Sequence, residues 1–286
     1  VVWTAEGPDE AGGIQNLWGQ RLNAAGSEVG ANDRQLTDPA VGNFDADDAV
    51  GLAYDQRDRR YLAVVRGRDG STVGFEVFGH LMNAKGAPIG VAQFRISHVI
   101  DTNASGEARP PSVAYDPVKN RFLVAWTGNP QIDAMAADEF EIFGRFVRPD
   151  GSLVGSEDVR FSSVGPDGDP NFWPVRPRIE FNPFLGQFLF AWAGDNDTEG
   201  GVDEESDIWG QRVAGDGDLI GAVGFRISSS GPDGNTNFAA NRPALAFDPS
   251  NCGYLVVWSS GNIRWGGPNQ EWEIWDNTVP SRCPRG

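Results

Sequence analysis

Hydrophobic residues fall along this chain in short dense runs separated by polar stretches, and the runs recur. A first phrase reads Val-Val-Trp at 1–3, Tyr-Leu-Ala-Val-Val at 61–65, Phe-Leu-Val-Ala-Trp at 122–126, Phe-Leu-Phe-Ala-Trp at 188–192 and Tyr-Leu-Val-Val-Trp at 254–258. A second reads Leu-Trp-Gly-Gln-Arg-Leu at 17–22, Val-Phe-Gly-His-Leu-Met at 77–82, Ile-Phe-Gly-Arg-Phe-Val at 142–147, Ile-Trp-Gly-Gln-Arg-Val at 208–213 and a degraded Ile-Trp-Asp-Asn-Thr-Val at 274–279. A third is Arg-Gln-Leu-Thr at 34–37, Arg-Ile-Ser at 95–97, Arg-Phe-Ser at 160–162 and Arg-Ile-Ser at 226–228. A fourth is Leu-Ala-Tyr-Asp at 52–55, Val-Ala-Tyr-Asp at 113–116, Ile-Glu-Phe-Asn at 179–182 and Leu-Ala-Phe-Asp at 245–248. The period is about 60–66 residues, the spacing of a supersecondary repeat.

Each phrase is short, β-branched and aromatic, and bounded by Gly, Pro, Asn or Asp, which predicts strands rather than helices. Asp-Pro or Asn-Pro at 116–117, 182–183 and 248–249 presets a turn between the fourth phrase and the first. Gly-containing turns at 23–26, 83–86, 149–151 and 215–217 join the second phrase to the third. The unit is therefore a four-stranded antiparallel meander. Its first phrase does not alternate apolar with polar, so that strand is expected to be buried on both faces, as in sheets packed face to face around an axis. The expected fold is all-β, a β-propeller of about five four-stranded antiparallel blades. The first blade lacks its innermost strand and the last its outermost; a piece of a larger propeller is the alternative. One domain over 1–286 is expected, with repeat units near 1–48, 49–109, 110–175, 176–241 and 242–286.

As a set these phrases resemble the repeats of secreted bacterial β-propeller proteins, which read roughly R-P-x-V-A-Y-D-P, Y-L-V-V-W, I-W-G-Q-R-L and F-x-I-S. The resemblance covers nearly the whole chain and departs from the pattern at Val65, which replaces Trp, and Asp276, which replaces Gly. It implies a propeller and a secreted or cell-surface location.

The net charge of -17 in 286 residues argues against nucleic acid and anionic membrane surfaces as partners. No apolar run is long enough to insert in a membrane. The long connections, which the meander gathers on one rim, hold 27 of the 40 acidic residues and 6 of the 23 basic ones. A rim of that sign attracts cations or a basic surface, although acidic loops also serve solubility alone. Asp195, Asp197 and Glu199, followed by Gly200, match the first half of a calcium loop, with oxygen ligands on alternate residues. Asp167, Asp169 and Asn171, and likewise Asp233, Asn235 and Asn237, repeat that alternation in matching connections, where turn chemistry is the plain alternative. Calcium is the expected cofactor.

Aromatics fixed inside the apolar phrases are expected in the core. Phe172, Trp173, Phe238 and Trp265 lie in connections and are the candidates for contact with a glycan. Cys252 and Cys283 are expected to form a disulfide that fastens the tail, in keeping with an oxidising compartment. His80 and His98 have no metal-ligand spacing and no nucleophile motif accompanies them, so no catalytic residue is assigned. Near-identical blades point to a non-catalytic binding or scaffold module with a protein or glycan partner. The alternatives are a lectin and a five-bladed glycoside hydrolase using carboxylates near the axis.

Overall fold

A computed structural model of the chain describes residues 1–6, 15–37, 50–68, 74–90, 93–102, 106–132, 135–136, 138–195, 206–228, 238–262 and 271–281. Eighteen strands form five antiparallel sheets. The first sheet is β1 (Val2–Glu6), β2 (Gln15–Leu22) and β3 (Glu28–Gln35), and the second is β4 (Gly51–Asp55), β5 (Arg60–Gly67), β6 (Glu76–Asn83) and β7 (Phe94–Arg95). The third is β8 (Ser112–Asp116), β9 (Arg121–Gly128), β10 (Glu141–Val147) and β11 (Val159–Arg160). The fourth is β12 (Pro174–Asn182), β13 (Gln187–Asp195), β14 (Ser206–Ala214) and β15 (Leu219–Arg226), and the fifth is β16 (Ala240–Asp248), β17 (Gly253–Asn262) and β18 (Glu271–Val279). Each sheet is a meander in chain order, three of four strands with a three-stranded sheet at either end. These are the blades of a β-propeller, as the repeat predicts. A single helical turn, α1 (Val99–Thr102), interrupts them.

The chain divides into two compact units, one of Val1–Pro130 with Gly144–Asp158, the other of Gln131–Phe143 with Val159–Gly286. In the first, Leu17, Leu36, Ala63 and Met82 form a core between the first two sheets. In the second, Leu189, Ala191, Ile208, Tyr254, Val256 and Trp258 do the same for the last two. The first phrase behaves as its composition demands: β13 is buried at every position, and β9 at every position but its first. The outermost strand β15 is exposed along most of its length. The repeated aromatics are core residues, with Trp192 directly opposite Trp209 and both nearly fully buried. Trp209 Nε1 finds a partner in the carbonyl of Gly194 at 3.2 Å.

Side chains, as much as Pro, shape the turns. Asp116 Oδ1 accepts the amides of Val118 and Lys119, Asp55 Oδ1 those of Arg57 and Asp58, and Asn182 Oδ1 those of Phe184 and Leu185. This is why the fourth phrase ends in Asp or Asn. The Arg-Pro pairs that open the fourth phrase in two blades sit on bulges: register shifts between Val175 and Arg178 and between Asn241 and Ala244, with Arg176 at φ 55 and Arg242 at φ 54.

The glycine in the middle of the second phrase is a slot. A Cβ on Gly210 would stand 2.7 Å from Ile227 Cδ1 and 3.0 Å from Phe225 Cζ, and one on Gly79 would meet Phe94 and Ile96 in the same way. The third phrase thus drops its aliphatic residue into the space that glycine leaves. Gly210→Ala is expected to cost about 1–3 kcal/mol of unfolding free energy, read from urea denaturation. Adding Ile227→Val, which removes the clashing methyl, should recover part of that loss; strict additivity of the two changes would contradict the slot.

Candidate functional site

The third phrase also explains where many acids go. In the second blade the Ser97 hydroxyl donates to Glu76, and Arg95 Nη2 donates to Glu76 at 2.6 Å and to Asp101 at 3.0 Å. In the fourth, Ser228 donates to Asp207 at 2.5 Å and Arg226 pairs with Asp207 at 2.7 Å. In the first, Thr37 donates to Asn16 at 2.7 Å. Each of the first four blades thus buckles its third phrase to the residue just ahead of the second phrase through an acid or amide, a hydroxyl and, in three of them, an arginine.

The third blade has the same clasp with an extra acid. Ser162 donates to Glu141, and Arg160 Nη2 stands 2.5 Å from Glu141, 2.7 Å from Asp167 and 3.7 Å from Glu139. Carboxylate oxygens of Glu139, Glu141 and Asp167 lie within 4.8 Å of one another, a group that can hold a metal ion. Glu139 is 1% exposed; its Oε2 accepts the amides of Ala136 at 3.0 Å and Gly168 at 2.6 Å. Burial raises the pKa of Glu141 above the usual carboxylate value, outweighing the lowering by Ser162 and Arg160.

A second constellation breaks the repeat. Aligned on the fourth phrase, the residues just ahead of it are Gly51, Ser112, Arg178 and Ala244, and those at its second position are Ala53, Ala114, Glu180 and Ala246. One strand, β12, therefore carries two charges where its counterparts carry small residues. Arg178 and Glu180 share a face of β12, and both are half-buried. Burial raises the pKa of Glu180 above the usual carboxylate value. Burial lowers that of Arg178, and so does the like charge of Arg176; the Arg178 guanidinium donates to the carbonyl of Pro177 at 3.2 Å. The phenol of Tyr254, 1% exposed, is held protonated first by burial and then by the charge of Glu180. β12 thus presents a half-buried carboxyl with a raised pKa, two residues from a guanidinium on the same face.

The residues expected from sequence are only partly assembled. Asp167 joins the Arg160 cluster, whereas Asp169 Oδ1 accepts the Asn171 amide at 3.1 Å, an Asx turn. Asp195 is buried at the end of β13, opposite Ser206. Asp197, Glu199, Asp233, Asn235 and Asn237 lie outside the described residues, as do Trp265 and Cys283. Phe172 is half-buried against Gly165, and Trp173 and Phe238 are also half-buried. Cys252 is buried, and no cysteine among the described residues is free. His98 sits against Arg145, whose Nη1 is 3.1 Å from Asp158 in a buried ion pair, so it serves packing. Glu180 was missed in sequence because it was read as part of a strand phrase; its departure from Ala was the available signal.

No protein-family model and no curated protein matches the chain. Solved structures do. An endo-arabinase from Bacteroides thetaiotaomicron is 10% identical, with 96% of this chain and 87% of that chain covered and a TM-score of 0.49. The α-L-arabinofuranosidase of Fusarium graminearum, solved with an iminosugar inhibitor, is 16% identical at a TM-score of 0.51, covering 85% of this chain and 63% of its own, so this chain spans less than two thirds of it. An N-acetylgalactosamine deacetylase from F. plautii, in complex with blood group B trisaccharide, is 13% identical at a TM-score of 0.50, with 93% and 81% covered. The likeness is one of fold, and the latter two bear on it. It corrects two expectations, that the chain is a non-catalytic scaffold and that it is no enzyme. Repeated blades of this fold occur in enzymes, so repetition is no mark of a binding module, and here the repetition fails at Arg178 and Glu180.

The Glu180 shift has a sign that can be checked. A carboxyl whose folded pKa lies above its unfolded value adds stability that is present below the unfolded pKa and is lost as pH rises through the folded one. Gln does not ionise, so Glu180→Gln should gain thermal midpoint relative to the unaltered protein as pH rises above the ordinary carboxylate range. A difference that stays constant with pH would contradict the raised pKa.

Proposed function

We propose that this protein is a glycoside hydrolase acting on a poly- or oligosaccharide, with Glu180 giving its proton to the leaving glycosidic oxygen. The observation that carries this is the pair of ionisable side chains on β12 where the other innermost strands have Gly, Ser or Ala, with burial raising the pKa of Glu180. A general acid for glycoside cleavage has to be protonated at working pH, and an apolar setting is how a carboxyl achieves that. Arg178, two residues before it on the same face, donates to sugar oxygens and so orients the ring. Such hydrolysis uses a second carboxylate as base or nucleophile, to which no residue is assigned. A glycan substrate agrees with the neighbours of this fold, an arabinofuranosidase and a deacetylase solved with a trisaccharide.

Calcium as a structural cation, a secreted setting and a bridge between Cys252 and Cys283 belong to the same proposal. The bridge is supported by the burial of Cys252 and the lack of a free thiol among the described residues. The protein should resist thiol labelling when unfolded without reductant and take up label after reduction; labelling without reductant would exclude the bridge.

Activity is tested on arabinan, arabinoxylan, galactan and N-acetylgalactosamine-containing oligosaccharides by release of reducing ends. Glu180→Gln is expected to lower kcat about 10²–10⁴-fold with KM changed little. The alkaline limb of the pH profile should fall above the ordinary carboxylate range. A kcat unchanged by Glu180→Gln, or no release from any substrate, would overturn the assignment.

A further inference from the structure

We infer that the clasp of the third blade is a calcium site built from Glu139, Glu141 and Asp167, separate from the carboxyl on β12. The second blade supplies the comparison. There Arg95 meets two acids, Glu76 and Asp101, and the residue two places ahead of Glu76 is Gly74. In the third blade the residue two places ahead of Glu141 is Glu139, which brings three carboxylates to a single arginine, Arg160. The fourth blade pairs Asp207 with Arg226. Among the described residues the third cluster sets three carboxylates against one arginine, an excess of two negative charges that a divalent cation balances.

An orphaned atom points to the ligand independently of the acid count. Glu139 Oε1 is buried and accepts no hydrogen bond among the described residues, while Oε2 of the same carboxylate accepts two backbone amides. Those amides fix the carboxylate so that Oε1 is presented to the cluster, with Arg160 Nη2 at 3.7 Å, beyond hydrogen-bonding reach. Leaving a buried carboxylate oxygen without a partner is costly.

The geometry suits calcium. Oxygens within 4.8 Å of one another are close enough to share one ion after small side-chain adjustment, since ligands on opposite sides of a calcium ion stand about 5 Å apart. Calcium accepts the irregular carboxylate set, whereas magnesium demands near-octahedral geometry and holds its waters. Asp167, 41% exposed at its side chain, leaves one side of the ion open to solvent, where water completes the shell. Glu139 and Glu141 flank the start of β10 and Asp167 lies after β11, so the ion ties the two strand connections of one blade edge together.

The test titrates calcium into the whole protein stripped with EDTA and dialysed, by calorimetry at pH 7, with magnesium as the comparison and thermal midpoints recorded alongside. One site with a Kd of about 10⁻⁵–10⁻³ M is expected, with magnesium at least 10-fold weaker and a midpoint that rises with calcium. Glu139→Gln should weaken binding at least 10-fold, and Asp101→Asn, in the second-blade clasp, should leave it unchanged. If Glu139→Gln does not fold, Asp167→Asn at the exposed edge carries the same expectation. No binding up to about 10 mM calcium, or binding that neither Glu139→Gln nor Asp167→Asn affects, would overturn the site. Glycan hydrolysis is not part of this readout, so the ion and the enzyme can fail separately.

Discussion

A strand that is apolar on both faces cannot belong to a sheet standing alone, because one of its faces would meet water. In this chain the first phrase is apolar on both faces by sequence. In the inner sheets β9 and β13 are buried at all or nearly all of their positions, whereas in the end sheets β1 is half-buried and β17 exposes Leu255. Sheets have to be packed against sheets, and the remaining devices serve that packing. Glycine in the second phrase admits the aliphatic residue of the third, Trp192 and Trp209 fill the space between neighbouring strands, and Asp or Asn closes the hairpin with its own side chain.

Packing of this kind leaves the outer strand as the weak member, since it is short or exposed. The acid–hydroxyl–arginine clasp secures it by a buried charge-assisted contact rather than by apolar area. This gives a physical role to acids that composition alone assigns to a solvated rim: Glu76, Glu141 and Asp207 are buried clasp members. A third carboxylate at one clasp makes a group that can hold a metal ion.

The number of blades, the order of strands and the aromatic core were legible because they follow from local period and turn chemistry. The clasp was visible only as a recurrent Arg-x-Ser, and its partner could not be found because the acid lies about 20 residues earlier in chain, across a sheet. The calcium pattern at Asp167, Asp169 and Asn171 was half legible: alternation marks a turn as well as a ligand set, and Asp169 is spent on the Asn171 amide while Asp167 reaches Arg160. Glu180 was hidden for the opposite reason. A repeat draws attention to what its copies share, whereas the proposed proton donor is what one copy changed.

Small residues just ahead of the fourth phrase and at its second position are what close packing prefers, so an Arg and a Glu there carry a desolvation cost that the fold does not require. Such costs are tolerated where chemistry needs them. The direct measurement is an NMR titration of the Glu180 side-chain carboxyl, assigned by its loss in Glu180→Gln. A midpoint above the ordinary carboxylate range is predicted, and a midpoint at or below that range would contradict the assignment of Glu180 as proton donor.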